Sequence, residues 1–412
     1  MSKLLKIAVR NLLRYKRRSL LTTFLITIGV VFVLVFIAVS GSFKFMMIGQ
    51  ITDAMIGHLQ VHRKGYVASI DSLPLNLNLQ PGAMTRLEKI LDGQPEIESY
   101  SPRIKFGGMF SNFMETTNIR LNGVYPDREL QTVPLLASRV VNGAKSIEKG
   151  RIWVPELLAR GMKVKVGDVV VIVATNQDGS VNGRQLTVSG ILESATGPGG
   201  RDGYLHIEDA MEILRMEDRE ISEIAVRLKD FGRLHKVSEK LEGILAEELN
   251  KQGKPVFELH VWEKLSPFFN IARMIDVMTF FIKLMLIAIV LVSIMNVMIM
   301  AVYERMREIG TIAAIGTLPG RILSLFVLEG FCLGVAGALM GTVATVVFVN
   351  LLNLSAITFD FGQQKGLVLK ATMSPSDILA ISVIVIIVST IASLQPALKA
   401  SRMEPIKALR HV

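Results

Sequence analysis

Charge is absent, or nearly so, from four long apolar stretches of the chain: Ser19–Phe43, Leu284–Tyr303, Ile322–Leu352 and Ile378–Leu398, with Glu329 the one acid among them. A helix rises about 1.5 Å per residue, so about twenty residues cross a hydrocarbon core of about 30 Å. Each stretch therefore predicts a membrane-spanning helix. The first is too long for the apolar part of a secretory signal and reads as a retained anchor, although Ala38-Val39-Ser40 resembles a cleavage site. Between the first and second crossings the periodicity changes. His58–His62, Ile97–Phe106 and Thr117–Pro126 read as strands, the last ending in a turn at Pro126-Asp127. Thr85–Leu91 and Leu234–Leu249 space their apolar residues as helices do. In Asp168–Leu192, two Val/Ile-rich runs flank Asp178-Gly179 and Asn182-Gly183, the turn chemistry of hairpins. The predicted fold is an α-helical membrane protein with four transmembrane helices plus a large α+β extracytoplasmic domain.

Shorter patterns refine this layout. In residues 1–18, Leu5, Val9, Leu12 and Leu13 form an apolar stripe opposite Lys6, Arg10, Arg14 and Arg17. This is either a basic amphipathic helix lying on the membrane or a charged flank that sets topology, and both place it at the membrane surface. Residues 304–321 join two crossings. Glu304, Arg305, Arg307 and Glu308 form a charged patch, and the helix-like run through Ile309, Gly310, Ile315 and Gly316 closes at Leu318-Pro319-Gly320. In the third crossing Gly330, Gly334, Gly337 and Gly341 share one helical face, which predicts close approach of another helix. Glu329 lies about 12 Å beyond Arg321 along the helix and needs a partner, from the charged loop or from interfacial water. Pro396 is expected to end or kink the fourth crossing. Residues 353–377 form a short outer loop, and residues 399–412 a basic tail.

Charge sets the orientation. The 412 residues carry a net charge of +10 with 20% charged residues, at a mean hydropathy of +0.44. Seven basic residues and no acid precede the first crossing; the 303–321 loop has three basic and two acidic residues, and the tail four basic and one acidic. All the excess positive charge thus lies on one side of a four-crossing chain. By the positive-inside rule both termini are cytoplasmic and residues 44–273 are external. A partner of nucleic acid is excluded on the same ground.

Candidate chemistry is sparse. His58 and His62 point to one face of a strand with no Cys or carboxylate cluster beside them, so no metal site is read there. The Gly-rich loop Ser194–Gly203 lacks the Lys-Ser/Thr ending of a phosphate cradle and reads as a surface turn. The only cysteine, Cys332, falls in the third crossing, so the external domain folds without disulfides. No GxxxxGK[ST], nucleophile elbow or zinc-protease helix occurs, and the reading is a non-enzymatic subunit. Energy for uphill work has to come from another subunit.

The segments ERMREIGTIAAIGT (Glu304–Thr317), FVLEG with its glycine face, and PALKASRMEPIKALR (Pro396–Arg410) resemble the FtsX/MacB superfamily of ABC-transporter permeases, and the layout is most similar to its lipoprotein-releasing (Lol-type) members. Ala313 departs from the Lys or Arg common at that position. The resemblance implies a MacB-like periplasmic core domain, with a base at 45–130 and 205–262 and an inserted β-rich lobe at 131–204. It implies two permease chains, identical or paralogous, on a cytoplasmic ABC ATPase dimer that binds ATP and Mg, this chain binding no cofactor of its own. The coupling helix spans 304–321, with Glu304, Arg305, Arg307, Glu308, Ile309, Gly310, Ile315 and Gly316 as ATPase-coupling residues. A stalk at 274–303 and its counterpart after the first crossing carry motion outward, and Phe43, Met46, Met47, Ile48, Phe269, Met274 and Met278 are the candidate contacts for hydrophobic cargo. The implied function is release of lipoproteins from the bacterial inner membrane to a periplasmic carrier. The alternatives are export of peptides, toxins or drugs through an adaptor and outer-membrane duct, and activation of cell-wall hydrolases without transport.

Overall fold

The computed structural model describes residues 2–195, 201–355, 358–361 and 364–403. The expected tail beyond residue 403 and the centre of the Gly-rich loop at 196–200 lie outside these residues. The chain divides into two compact units, one of Met1–Phe45, Arg273–Thr358 and Val368–Val412, the other of Met46–Ala272 with Phe359–Leu367.

The chain opens with α1 (Ser2–Arg14) and, after a single intervening residue, α2 (Lys16–Ile51). The extramembrane unit follows. Its strands are β1 (Leu59–Arg63), β2 (Ile97–Ser111), β3 (Thr116–Val124), β4 (Val140–Gly143), β5 (Arg151–Pro155), β6 (Val169–Thr175), β7 (Val181–Leu192), β8 (Gly203–His206), β9 (Glu223–Leu228) and β10 (Phe257–Val261). Its helices are α3 (Pro81–Asp92), α4 (Pro126–Thr132), α5 (Glu156–Gly161), α6 (Ile207–Ile213), α7 (Leu234–Ala246) and α8 (Trp262–Leu265). The strands form one sheet in the order β10-β1-β9-β2-β3-β8-β5-β7-β4, with β6 pairing both β2 and β7. The segments expected as base and lobe therefore share a single sheet. The cause is the length of β2: its first half pairs with β9, its second half with β3, and its last three residues, Met109 to Ser111, with β6.

Two turn expectations are corrected. Pro126-Asp127 opens α4, because proline's fixed φ suits the first position of a helix as well as it suits a turn. Asn182-Gly183 lies inside β7, opposite Ala174 and Val173. The hairpin closes instead at Asn176–Ser180, where Gly179 takes φ +83° and its N–H donates to the Asn176 carbonyl at 3.1 Å.

Inside this unit, β1 is buried on both faces, so its alternation separates apolar from polar partners and does not separate core from water. Val61 joins the apolar core with Ile104, Phe106, Leu87 and Leu241, each such side chain contributing about 1.5–3 kcal/mol on burial. Gln60 and His62 instead face a buried charge cluster. Glu223 meets Arg103 at 3.0 Å, Lys105 at 3.4 Å and His62 at 3.5 Å, and Gln60 donates to it at 3.2 Å. Arg103 also pairs with Glu129 of α4 at 2.8 Å. Burial alone pushes the Glu223 carboxyl upward, but the Lys105 and Arg103 charges and the His62 contact hold it well below the usual carboxylate range.

The membrane unit resumes with α9 (Phe268–Glu304), α10 (Met306–Ala314), α11 (Pro319–Leu354) and α12 (Pro375–Ser401); between the last two in the chain comes a two-stranded ribbon of β11 (Thr358–Phe361) and β12 (Gln364–Val368), most of it belonging to the extramembrane unit. The helices that begin at Lys16, Phe268, Pro319 and Pro375 are long and apolar enough to cross a membrane. α12 continues through Pro396 to Ser401, so that proline does not end the span. Pro396 and Ala397 are both buried within α12, and membrane helices tolerate the one backbone hydrogen bond proline cannot donate where neighbouring helices pack around it.

The four glycines of α11 serve two neighbours. A Cβ at Gly330 or Gly334 would come within 3 Å of Ser393 or Ser389 of α12; at Gly337 or Gly341 it would meet Ile26 or Val30 of α2 as closely. One glycine face thus seats two different helices at successive levels. Gly334→Val is expected to destabilise the chain by about 1–3 kcal/mol, the cost of overpacking a close contact. Gly41→Val in α2, where nothing lies within 4 Å of an added Cβ, is the matched control and should be near neutral. Thermal unfolding of both purified variants in detergent checks this, and equal midpoints would remove the packing role.

Candidate functional site

At the basic end of the membrane unit, α9 stops at Glu304 and the chain turns at Arg305 (φ −103°, ψ 15°) before α10 begins. The Arg305 side chain folds inward from this turn. Its Nη1 donates to Glu329 Oε1 of α11 at 2.9 Å, and its Nη2 lies 3.5 Å from the Asn11 carbonyl of α1. Its guanidinium carbon lies 4.4 Å from the centre of the Tyr15 ring. Asn11 Nδ2 completes the cluster by donating to the same Glu329 oxygen at 2.8 Å. Arg305 is 7% and Glu329 2% exposed. An ionised carboxylate at this depth persists only when paired and hydrogen-bonded; the partner expected from the charged loop is Arg305.

Exposed contacts surround this buried joint. Arg18 of α2 pairs with Glu304 at 3.1 Å and Arg14 of α1 with Glu308 at 3.5 Å. Lys399 of α12 donates to the Tyr303 hydroxyl at 2.8 Å. Three elements are therefore tied to the two ends of the α9–α10 turn. α10 itself closes with Gly316 in the left-handed region (φ +97°), its N–H donating to the Ala313 carbonyl and that of Thr317 to Ile312.

The predicted coupling residues consequently fall into two groups. Arg305, Ile309 and Gly310 are turned inward and hold α10 in place, so they offer no surface for a partner. Glu304, Arg307, Glu308, Ile315 and Gly316 are exposed. Sequence reasoning missed Ile312 and Leu318, which with the 80%-exposed Ile315 make an uncovered apolar face on and just after α10. It also missed Asn11 and Tyr15. They sit four apart, Asn11 in α1 and Tyr15 in the turn just after it, and nothing local announces a partner 318 residues away.

The candidate cargo residues divide as well. Met47 and Ile48 are buried in the core of the extramembrane unit, which withdraws them from any cargo-contacting surface. Phe269 packs edge-on against Trp262 at 6.2 Å between ring centres. Phe43 and Met46 are half-buried. Met274 and Met278 are exposed on α9, near Phe280 and Phe281, which are also exposed. Lys44 of α2 reaches both Asp276 oxygens of α9 at 2.7 Å, linking these two helices beyond their apolar runs. The two strand histidines part company: His58 Nδ1 accepts from the Leu228 N–H at 3.0 Å, while His62 stacks on Tyr66 beside Glu223. Among the described residues no three His, Cys, Asp or Glu side chains converge as metal ligands would.

Comparison with known proteins gives two family matches. The MacB-like periplasmic core domain matches residues 19–244, and the FtsX-like permease C-terminal region matches residues 280–405. The lipoprotein-releasing system transmembrane protein LolC of Neisseria meningitidis is 22% identical over 433 aligned positions, covering 97% of each chain. LolC of Xylella fastidiosa is 24% identical, over 71% of this chain and 72% of its own. The macrolide export ATP-binding/permease protein MacB of Nitrobacter winogradskyi is 28% identical over 56% of this chain but only 34% of its own length.

Proposed function

Since this chain belongs to the FtsX/MacB family of ABC-transporter permeases, we propose that it couples ATP hydrolysis in a separate ATPase subunit to release of lipid-anchored proteins from the bacterial inner membrane. The observation that carries the cargo reading is end-to-end similarity to a lipoprotein-releasing permease, against a partial match to the ATP-binding/permease protein. In this reading both termini are cytoplasmic, and ATP and Mg are bound by the ATPase dimer. A second permease chain completes the membrane part, and a periplasmic carrier receives the cargo.

The division of α10 into an inward anchor and an outward apolar face suits a coupling element. The ATPase seats on Ile315 and Leu318, while Arg305 carries its displacement to α1 and α11. Ile315→Asp is expected to weaken ATPase binding about 10–100-fold, the loss of one buried aliphatic contact of about 1.5–3 kcal/mol. Membrane insertion should be unchanged. Titration of the ATPase onto the detergent-solubilised chain measures this, and an unaltered affinity would place the ATPase elsewhere.

The function is tested in proteoliposomes holding this chain, its partner permease and the ATPase. ATP-dependent transfer of a triacylated protein to a soluble carrier is the expected result, with no transfer of the same protein lacking its lipid. Equal handling of both forms, or ATPase activity indifferent to either, would overturn lipoprotein release in favour of peptide export or hydrolase activation.

A further inference from the structure

A cavity of about 640 Å³ lies at the basic end of the membrane unit, between α1, α10 and the start of α11. Its wall changes character along α11: Arg321 precedes the charge-free run, and Leu325 and Phe326 stand about one turn within it. Arg14 contributes from α1 and the exposed Ile312 from α10, with Thr317 between. A soluble anion gains nothing from the Leu325–Phe326 wall, and a hydrocarbon alone gains nothing from the guanidinium groups of Arg14, Arg305 and Arg321 or from the Glu308 carboxylate that also lines it. The lining suits a molecule charged at one end and apolar at the other, oriented along the membrane normal.

We infer that this cavity holds an anionic phospholipid, its phosphate between Arg14 and Arg321 and the first part of one acyl chain against Leu325 and Phe326. Arg321 is unpaired among the described residues and Arg14 only weakly paired. Arg14 holds Glu308 at 3.5 Å with both side chains well exposed, a pairing worth little against a phosphate. Lys6 and Arg10 give α1, and Arg17 gives the start of α2, further positive charge, which concentrates anionic lipid near the mouth. The volume lies within the range of small-ligand sites lined mainly by apolar side chains with a few placed polar groups. The site would then join lipid composition to the position of α10, because the lipid touches both α10 and the helix that Arg305 binds.

The test uses the full-length chain, stripped of lipid in detergent and offered phosphatidylglycerol or phosphatidylcholine, with retained lipid counted by native mass spectrometry. One phosphatidylglycerol per chain is expected, retained at least tenfold over phosphatidylcholine. Arg14→Ala/Arg321→Ala is expected to abolish that preference. Lys6→Ala/Arg10→Ala, which removes equal charge from α1 outside the cavity, should keep it. Equal retention of both lipids, equal loss in the two double variants, or displacement by millimolar inorganic phosphate would overturn the inference. So would cross-linking of Arg321→Cys to the ATPase with loss of the lipid on assembly. Because the binding is measured on this chain alone, its failure leaves the proposed transport function untouched, and failure of that function leaves this site standing.

Discussion

Glu223→Ala is expected to lower the stability of the extramembrane unit by about 3–5 kcal/mol, because it leaves Arg103 and Lys105 buried with one acid, Glu129, between them. For a unit of this size that corresponds to a fall of about 6–20 °C in its unfolding midpoint. The chain offers a selective probe. Its only two tryptophans, Trp153 and Trp262, both lie in this unit and both are buried, so tryptophan fluorescence follows it in the intact protein. Glu223→Leu combined with Lys105→Met restores charge balance around Arg103 and Glu129 and should recover much of the loss, since a buried ion pair replaced by apolar groups costs little. If the double variant is no more stable than Glu223→Ala, the charge imbalance is not the cause.

The same residue sets an acid limit. Its carboxyl titrates well below the 4.5 of an ordinary glutamate. A group whose folded value is depressed contributes stability above its unfolded value, and loses it as the pH falls from there through the folded one. The Glu223 contribution is therefore complete at neutral pH and erodes only in acid below the ordinary glutamate range. Glu223→Gln should flatten that acid limb of the fluorescence-detected stability curve and leave the neutral region parallel to the parent.

Glu329→Ala is expected to uncouple the membrane unit without preventing insertion. It leaves Arg305 buried with the Asn11 carbonyl and the Tyr15 ring but no counter-charge, again at a cost of about 3–5 kcal/mol. That cost exceeds a hundredfold change in the population of the inward-folded side chain. The expected readout is basal ATPase activity retained and stimulation by cargo lost. Arg305→Lys in the otherwise unchanged chain should also lose coupling, because an ammonium cannot hold Glu329, reach Asn11 and stack on Tyr15 together. Normal cargo-stimulated hydrolysis in Glu329→Ala would show that α10 moves independently of α11.

How far each feature was legible depended on the range of the interactions behind it. The four crossings follow from local composition, since a charge-free run of about twenty residues has few alternatives to a helix in lipid. The need of Glu329 for a partner followed from the same physics. The strands β6 and β7 followed from their Val- and Ile-bearing runs, and β2 and β3 from local periodicity. The two misplaced turns at Pro126 and Asn182 arose because proline and Asn-Gly are compatible with more than one backbone role, and the neighbouring strands decided between them. Met47 and Ile48 read as cargo contacts in the sequence because an apolar helix end looks the same whether it faces lipid or a protein core. Only the fold, which packs them with Ile51 and Leu59, tells these apart.

Local sequence thus determined that this is a membrane protein with a large α+β domain, which end of it is basic, and where a helix interrupts the second and third crossings. Tertiary structure decided which residues of that helix are anchors and which are surface, and that Asn11 and Tyr15 complete the anchor. It also decided that one glycine face serves two neighbours and that Glu223 lies at the centre of a buried charge cluster. The physical reason is that hydropathy and periodicity are summed over neighbours in the chain. Pairing a buried charge, by contrast, depends on which distant side chains the fold brings within about 3 Å.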